Sequence, residues 1–407
     1  MSVPIILLMV TMFLASVGFG VILPTLPFLS EHIGATSFEL GLALSVFAIA
    51  QLLASSFWGS LSDRLSRRSV LVTGVLGYGV TSALLGLSPN VPIFLILRFF
   101  GGVFVSAVFP AAQALVADWT EPKNRARMLG YMAAMNGIGF IFGPIIGSFL
   151  SIFGVMIPFI GVGIISVVNG LMALWLLPGE EKKATRQQKG FENARSFSIQ
   201  TWKKSVLEAN ILPFLIGTLV FSMSDSSITS TLAYFIVGHL HSTQAVTGWA
   251  FAVNGGMGAL VQMIFLSRIH SRYGENVTIV AGLLIGAAGY FFLGISNFLL
   301  LAFVSIIFLA CCRGLVVPVL SSAISVRMAK NVQGRGFGYQ QTANSIGRSL
   351  GPIIASWIFV YHEGAPFLFS SGLIALFLIF YGKWVRTSRF QHLGTQLTCH
   401  ERGEDNG

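Results

Sequence analysis

Long stretches without any acidic or basic residue restrict this 407-residue chain more than any other feature. A helix that crosses a lipid bilayer needs about 20 consecutive apolar residues, and these stretches reach or exceed that length. Lipid offers the backbone no hydrogen-bond partner, so each crossing segment is a helix unless the chain closes a β-barrel. Barrel strands alternate apolar and polar residues, which these stretches do not. They occupy residues 3–30, 40–62, 69–97, 128–179 and 276–312.

Two of the uncharged stretches are long enough for a pair of helices. Turn-forming residues divide residues 69–97 near Pro89 and residues 128–179 near Gly154. We therefore predict an all-α integral membrane protein with twelve transmembrane helices in two six-helix bundles. The predicted helices cover residues 4–28, 40–59, 70–88, 92–117, 128–150, 157–177, 210–237, 245–266, 277–296, 298–326, 336–360 and 365–385.

The two halves of the chain repeat one pattern. Residues 130–147 recur as residues 338–355, and every matched pair lies 208 residues apart. The pairs include Gly130 and Gly338, Asn136 and Asn344, and Pro144 and Pro352. A constant offset indicates a duplicated unit, and duplicated halves in an apolar chain are typical of secondary transporters, whose site lies where the halves meet. We predict an N-terminal bundle over residues 1–178 and a C-terminal bundle over residues 209–388.

The basic residues lie almost entirely in alternate loops. Of the 25 Lys and Arg residues, 22 fall in the loops after even-numbered helices and in the C-terminal tail, and none falls in the other loops. By the positive-inside rule, the even-numbered loops and both termini face the cytoplasm. The formal net charge of +10 then reflects attraction to the inner leaflet, and no nucleic-acid partner is expected.

The segments outside the predicted helices are polar. Residues 179–208 are predicted to be a cytoplasmic linker, either a solvated tether or a helix on the membrane surface. Residues 389–407 are predicted to be a cytoplasmic tail, disordered over residues 391–407. The three cysteines lack metal-binding spacing and the sequence contains no phosphate-binding loop, so neither a metal nor ATP is expected as a cofactor.

A sequence rich in glycine, aspartate and arginine joins the second and third predicted helices. It reads Gly59-Ser-Leu-Ser-Asp63-Arg64-Leu-Ser66-Arg67-Arg68. The glycine permits close helix packing, and the arginines can pair with an acid at the end of a neighbouring helix. Asp118, at the end of the fourth predicted helix, is a candidate partner. A basic loop without any further role is the alternative.

This sequence resembles the loop motif of the major facilitator superfamily, with Ser66 in place of a glycine. Residues 97–102, Leu-Arg-Phe-Phe-Gly-Gly, resemble the superfamily's motif in the fourth helix. Residues 139–147 resemble the antiporter motif of its fifth helix, and residues 18–27 resemble the first helix of multidrug and tetracycline exporters. The resemblance covers the whole chain and implies the drug:proton antiporter branch. It implies a monomeric exporter in a bacterial inner membrane that uses the proton gradient and no other cofactor.

Small residues recur every four positions in the antiporter-like segment. Gly139, Gly143 and Gly147 lie on one helix face, which permits close packing in lipid, and Pro144 bends the helix. The second repeat carries Gly347, Gly351, Pro352 and Ala355 at the matching positions. We predict that these two helices make the contact on which the halves rock. A purely structural interface is the alternative.

Four ionisable residues lie inside predicted helices, where a charge costs about 3 kcal/mol or more and usually has a function. They are Arg98, Asp225, Arg313 and Arg348. Asp225 is the only carboxylate well inside a predicted helix, and such a carboxylate can bind and release protons near neutral pH. We predict that it couples transport to protons; the alternative is an aspartate neutralised by Arg313 or Arg348. The resemblance implies a part in proton coupling for Arg98, whereas the alternative is a structural arginine.

Amide and aromatic residues in the helices are candidates for a cargo cavity, because such side chains suit amphipathic ligands. If the cavity lies as the resemblance implies, its lining joins Arg313 and Arg348 to Gln51, Gln113, Asn136, Phe140, Trp249, Asn254, Gln262, Tyr339, Gln340, Gln341 and Asn344. Two cations against one carboxylate in the C-terminal half favour anionic or neutral cargo.

The predicted function is efflux of small amphipathic compounds, multidrug efflux in particular. Export of one metabolite (a sugar, a siderophore or a lipid-linked glycan) is one alternative. A membrane receptor or scaffold without transport activity is the other. The predicted helices contain no paired carboxylates, metal cluster or nucleophile–base arrangement, so an enzyme is not expected.

Overall fold

The computed structural model describes residues 3–64, 66–178, 210–328 and 333–404. These residues form twelve long helices and no strand. In chain order the helices are α1 (Val3–His32), α2 (Ser37–Arg64), α3 (Arg67–Gly86), α4 (Val91–Trp119), α5 (Pro122–Leu150), α6 (Ile157–Leu176), α7 (Leu212–Tyr234), α8 (Gln244–Leu260), α9 (Leu266–Gly294), α10 (Leu299–Arg327), α11 (Gln333–Phe359) and α12 (Ala365–Glu404).

Ten segments of the described chain are long and apolar enough to cross a membrane. One of them, Gln244–Gly294, spans 51 residues and contains both α8 and α9; the backbone breaks inside α9 at Gly274, whose φ is +78°. The helix α11 is not among the ten, because amide and arginine side chains interrupt its apolar sequence. Dividing the long segment and adding α11 gives the twelve helices expected from the sequence, and the all-helical membrane fold is confirmed.

The two halves pack their helices in the same way. In the N-terminal half α1 packs on α5, α2 on α4, and α3 on both α4 and α6. In the C-terminal half α7 packs on α11, α8 on α10, and α9 on both α10 and α12. Each of these pairs matches its counterpart under the 208-residue offset, so the sequence repeat corresponds to a repeat of tertiary structure.

The glycine stripes of α5 and α11 pack inside their own halves. A Cβ atom added at Gly143 would lie 2.7 Å from the Gly20 Cα and 2.7 Å from the Val17 carbonyl oxygen, both on α1. At Gly351 it would lie 2.6 Å from the Ser226 Cβ on α7. The stripes are therefore occupied by close helix packing within each bundle, and any contact of α5 and α11 with the opposite half uses other faces of these helices.

Other faces of the same helices join the two halves. The helix α2 meets α11 at Gly41, where an added Cβ would lie 2.6 Å from the Pro352 carbonyl oxygen. The helix α8 meets α5 at Gly248, where an added Cβ would lie 2.9 Å from the Pro144 carbonyl oxygen. Pro144 and Pro352 lie 208 residues apart, so the two contacts are equivalent and the interface is nearly two-fold symmetric.

The contacts between the halves lie at the end of the molecule that carries the loops without basic residues. There the hydroxyls of Ser30 on α1 and Tyr234 on α7 form a hydrogen bond of 2.7 Å. Towards the basic loops the helices are separated, since a Cβ added at Gly130 or Gly338 would meet no atom within 4 Å. The cleft between the halves therefore opens towards the basic loops.

The C-terminal tail differs from its prediction. The helix α12 continues beyond the membrane-length segment Ala365–Val385 and ends at Glu404, where disorder was expected from residue 391. No proline follows Pro366, so nothing in the backbone chemistry stops the helix. The predicted linker, residues 179–208, lies outside the described residues.

Enlarging the two interface glycines is expected to open the closed end of the cleft. In the double variant Gly41→Ala and Gly248→Ala, each new methyl group meets a proline carbonyl across the interface, so the contact has to separate. We expect cysteines placed in the cleft to become more reactive towards a membrane-impermeant maleimide added from the uncharged-loop side. The matched control is Gly130→Ala with Gly338→Ala, which meets open space on the facing helices α5 and α11. Equal labelling in both variants would contradict the assigned contact.

Candidate functional site

An ion pair lies in the middle of the C-terminal half. Arg313 Nη2 on α10 donates to Asp225 Oδ2 on α7 at 3.2 Å, and Arg313 Nη1 donates to Asn254 Oδ1 on α8 at 3.3 Å. The side chains of Asp225 and Arg313 remain 21 % and 41 % exposed. The pair is thus held by three helices yet open on one side, as a site that exchanges protons or ligands requires.

Arg348 on α11 is the second cation beside this pair. It interacts with the charges of both Asp225 and Arg313 but forms no ion pair with a carboxylate of the described residues. Its guanidinium carbon lies 5.9 Å from the ring centre of Phe19, which belongs to α1 in the other half. We call Asp225, Arg313 and Arg348 the ionic cluster.

Three phenylalanines form an aromatic cluster on the N-terminal side of the cleft. Phe19 lies with its ring centre 6.0 Å from that of Phe47 on α2 and 5.4 Å from that of Phe140 on α5. Arg348 contacts Phe19 from the opposite half. The aromatic cluster and the ionic cluster therefore meet at Arg348, across the interface between the halves.

Arg98 lies behind the aromatic cluster and apart from the ion pair. Its side chain on α4 is only 5 % exposed, and its guanidinium carbon stands 4.2 Å above the ring centre of Phe47. Its Nε atom has no hydrogen-bond partner. A buried cation stacked on an aromatic ring fits the structural alternative.

The duplication makes the two walls of the cleft chemically different. Each member of the ionic cluster has an apolar counterpart 208 residues earlier in the chain. The pairs are Asp225 and Val17, Arg313 and Val105, and Arg348 and Phe140. Val17 and Val105 are buried within the N-terminal half, at 8 % and 2 % exposure, and Phe140 belongs to the aromatic cluster. The N-terminal half therefore places an aromatic ring and no charge where the C-terminal half carries the ionic cluster.

The remaining cavity candidates differ in their surroundings. Some bond to their own half: Asn136 Oδ1 accepts a 3.0 Å hydrogen bond from Ser16, and Gln340 Nε2 donates a 2.8 Å bond to Ser321. On α11, Gln341 and Asn344 lie seven and four residues before Arg348, on the same helix face. Of the others, Gln51 and Tyr339 are partly buried, and Gln113, Gln262 and Trp249 are exposed, Trp249 by 58 %.

The loop motif forms an ion pair at the basic end of the N-terminal half. Arg67, at the start of α3, bonds to Asp118 near the end of α4 and also donates to the Ala114 carbonyl oxygen at 2.9 Å. This pair ties α3 to α4, the role considered for the motif. The side chains of Asp63 and Arg64, and the surroundings of Gly59, lie outside what the structure describes.

Sequence reasoning missed a second ion pair, in the C-terminal half. Arg327 at the end of α10 donates to both carboxylate oxygens of Glu275 on α9, at 3.0 and 2.7 Å. Its guanidinium also stands 4.3 Å above the Phe214 ring. Glu275 lies 208 residues after Arg67. The ion pair of the C-terminal half thus has its acid at the position where the N-terminal half has its arginine. Adding the 208-residue offset to Arg67 would have pointed to Glu275.

The described residues offer no alternative chemistry in the cleft. No group of three His, Cys, Asp or Glu side chains among them is placed to hold a metal ion. What the ionic and aromatic clusters supply is one carboxylate, two cations and a set of rings. A set of this kind has the chemistry to bind an amphipathic molecule.

Comparison with known sequences gives one family over nearly the whole chain. The family model of the Major Facilitator Superfamily matches residues 8–220 and 214–396. Multidrug resistance protein 2 of Bacillus subtilis (strain 168) is 27 % identical over 365 residues, covering 90 % of this chain and 91 % of that protein. Quinolone resistance protein NorA of Staphylococcus aureus (strain MSSA476) is 27 % identical over 377 residues, covering 92 % and 94 %.

Comparison with solved structures gives the same architecture. The crystal structure of the nucleoside transporter NupG (D323A mutant) superposes with a TM-score of 0.78. The match covers 93 % of this chain and 99 % of that chain at 14 % sequence identity. At that identity the likeness establishes the fold, a transporter architecture of helices in two halves.

Proposed function

This chain belongs to the major facilitator superfamily, and from that premise we propose that it exports small amphipathic compounds by multidrug efflux, driven by protons. It is a membrane transporter of small molecules. Two relatives named for resistance to several drugs and to quinolones match it over nine-tenths of its length. Their names support drug efflux as the direction and purpose of transport.

One observation supports proton coupling most directly: the Asp225–Arg313 ion pair is partly exposed between helices of the C-terminal half. A carboxylate that is paired but reachable can lose its partner when it takes up a proton. Release of Arg313 would then change the charge of the cleft wall. A single unit charge moving through 100 mV provides about 2.3 kcal/mol, enough to drive cargo against a gradient.

We place the protein in the bacterial cytoplasmic membrane with both termini in the cytoplasm. The relatives support a bacterial membrane, and the Lys and Arg distribution supports the orientation. In that orientation the cleft opens to the cytoplasm, where an exporter collects its cargo. The protein acts as a monomer, without a nucleic-acid partner and with the proton gradient as its only energy source.

Inverted membrane vesicles provide the decisive test. Their interior corresponds to the outside of the cell, so an exporter should fill them with fluorescent amphipathic dyes once respiration acidifies the interior. We expect accumulation to cease when an ionophore collapses the proton gradient. Accumulation that continues without the gradient would disprove proton coupling, and the absence of any flux would favour a receptor or scaffold. Transport of a single metabolite and of no dye in the panel would favour a dedicated exporter.

A further inference from the structure

The ionic cluster has one cation without an ion-pair partner among the described residues. Arg313 is paired with Asp225 at 3.2 Å, whereas Arg348 forms no ion pair with any carboxylate of the described residues. The cluster thus holds two cations and one carboxylate, and an excess charge at membrane depth is unfavourable. A cargo that brings an acid group to Arg348 removes that penalty and forms a charge-assisted hydrogen bond.

The opposite wall of the cleft defines the body of the cargo. Phe19 and Phe140 lie with their ring centres 5.4 Å apart, and Phe19 is within cation–π distance of Arg348. A ring placed on these phenylalanines keeps its acid substituent next to the guanidinium. Because Phe140 and Arg348 are equivalent positions of the repeat, the cleft holds an amphipathic molecule in one orientation.

Exchange with protons adds a requirement at Asp225. A purely anionic cargo would bind more tightly after Asp225 takes up a proton, because Arg313 is then freed to help hold the anion. Anion and proton would then travel together. Exchange requires that cargo and proton exclude each other, and a cationic group on the cargo competes directly with a proton for the carboxylate.

We propose that the preferred cargo of this cleft is an aromatic zwitterion. Its acid group binds Arg348, its ammonium group binds Asp225 and its ring lies on Phe19 and Phe140. The assignment rests on the proposed function only for the ammonium group, which follows from proton exchange. The acid and ring sites follow from the unpaired cation and the aromatic cluster.

One fluorophore in four charge forms tests the proposal by equilibrium binding. Nε-dansyl-lysine is a zwitterion, its methyl ester a cation, its Nα-acetyl derivative an anion and its Nα-acetyl methyl ester neutral. Each is titrated into the purified full-length protein in lipid nanodiscs, at about pH 6, below the ordinary pKa of an α-amino group. We expect the zwitterion to bind about tenfold more tightly than either singly charged form, and the neutral form to bind most weakly.

Two variants separate the contributions of the two charged groups. Arg348→Gln should remove the advantage of each acid over its ester and keep the advantage of each amine over its acetyl form. Asp225→Asn should remove the advantage of each amine over its acetyl form and keep the advantage of each acid over its ester. Arg268→Gln, which removes an exposed arginine of α9, is the matched control and should keep both advantages.

Two results would overturn the proposal. The first is equal affinity of acid and ester in the unaltered protein, a comparison that needs no variant to fold. The second is an acid preference that persists in Arg348→Gln. Because binding is measured without a gradient, a failed efflux experiment with a positive binding result would reject the exporter and keep the site.

Discussion

The variant Asp225→Asn is expected to lose gradient-driven accumulation of dye by at least tenfold while keeping downhill movement. An amide cannot take up a proton at neutral pH, so the cycle loses the step in which proton binding breaks the pair with Arg313, a bond of 3.2 Å. The halves can still rock, since no contact at the closed end involves this residue. Measurement requires inverted vesicles energised by respiration, followed by efflux from preloaded vesicles without a gradient.

Asp225→Glu is the appropriate control for this experiment. It keeps a titratable carboxyl group and changes only its reach towards Arg313, so gradient-driven uptake should be weakened and not abolished. Membrane abundance of each variant is determined from a C-terminal tag. Full proton-driven accumulation in Asp225→Asn would remove Asp225 from the coupling mechanism, and the buried Arg98 would then be the next residue to test.

The variant Gly143→Leu is expected to abolish transport and lower the melting temperature. The backbone of α1 lies where the new side chain begins, since a Cβ at Gly143 would be 2.7 Å from the Gly20 Cα. A backbone atom cannot turn aside as a flexible side chain can, so α1 and α5 have to separate. Overpacking of this kind costs about 1–3 kcal/mol or more, and α1 carries Phe19 of the aromatic cluster.

Gly137→Leu is the matched control on the same helix, because a Cβ there would meet no atom within 4 Å. We expect this control to retain most of its transport and its melting temperature. Both proteins should still insert into the membrane, because insertion depends on the hydrophobicity of each helix. Unimpaired transport in Gly143→Leu would refute the close α1–α5 contact.

The sequence identified the ionisable residues of the site but did not predict which of them form ion pairs with each other. It left Asp225 with two possible counter-ions, Arg313 and Arg348, and the structure pairs it with Arg313. The sequence also identified the glycine stripes and predicted that α5 and α11 join the halves, but it did not show that the stripes themselves pack on α1 and α7. Helical periodicity defines which residues share a face, but it does not say which of several helices that face will meet.

Sequence alone determined the membrane class, the helix count, the duplicated halves and the family. Lipid leaves only helices or a closed β-barrel, the uncharged stretches lack the alternation of barrel strands, and basic residues mark alternate loops. Tertiary structure decided that Arg348 has no counter-ion among the described carboxylates, that Gly41 and Gly248 join the halves, and that rings face charges across the cleft. These contacts join residues far apart in the chain at distances of a few ångströms, and close packing of whole helices sets such distances.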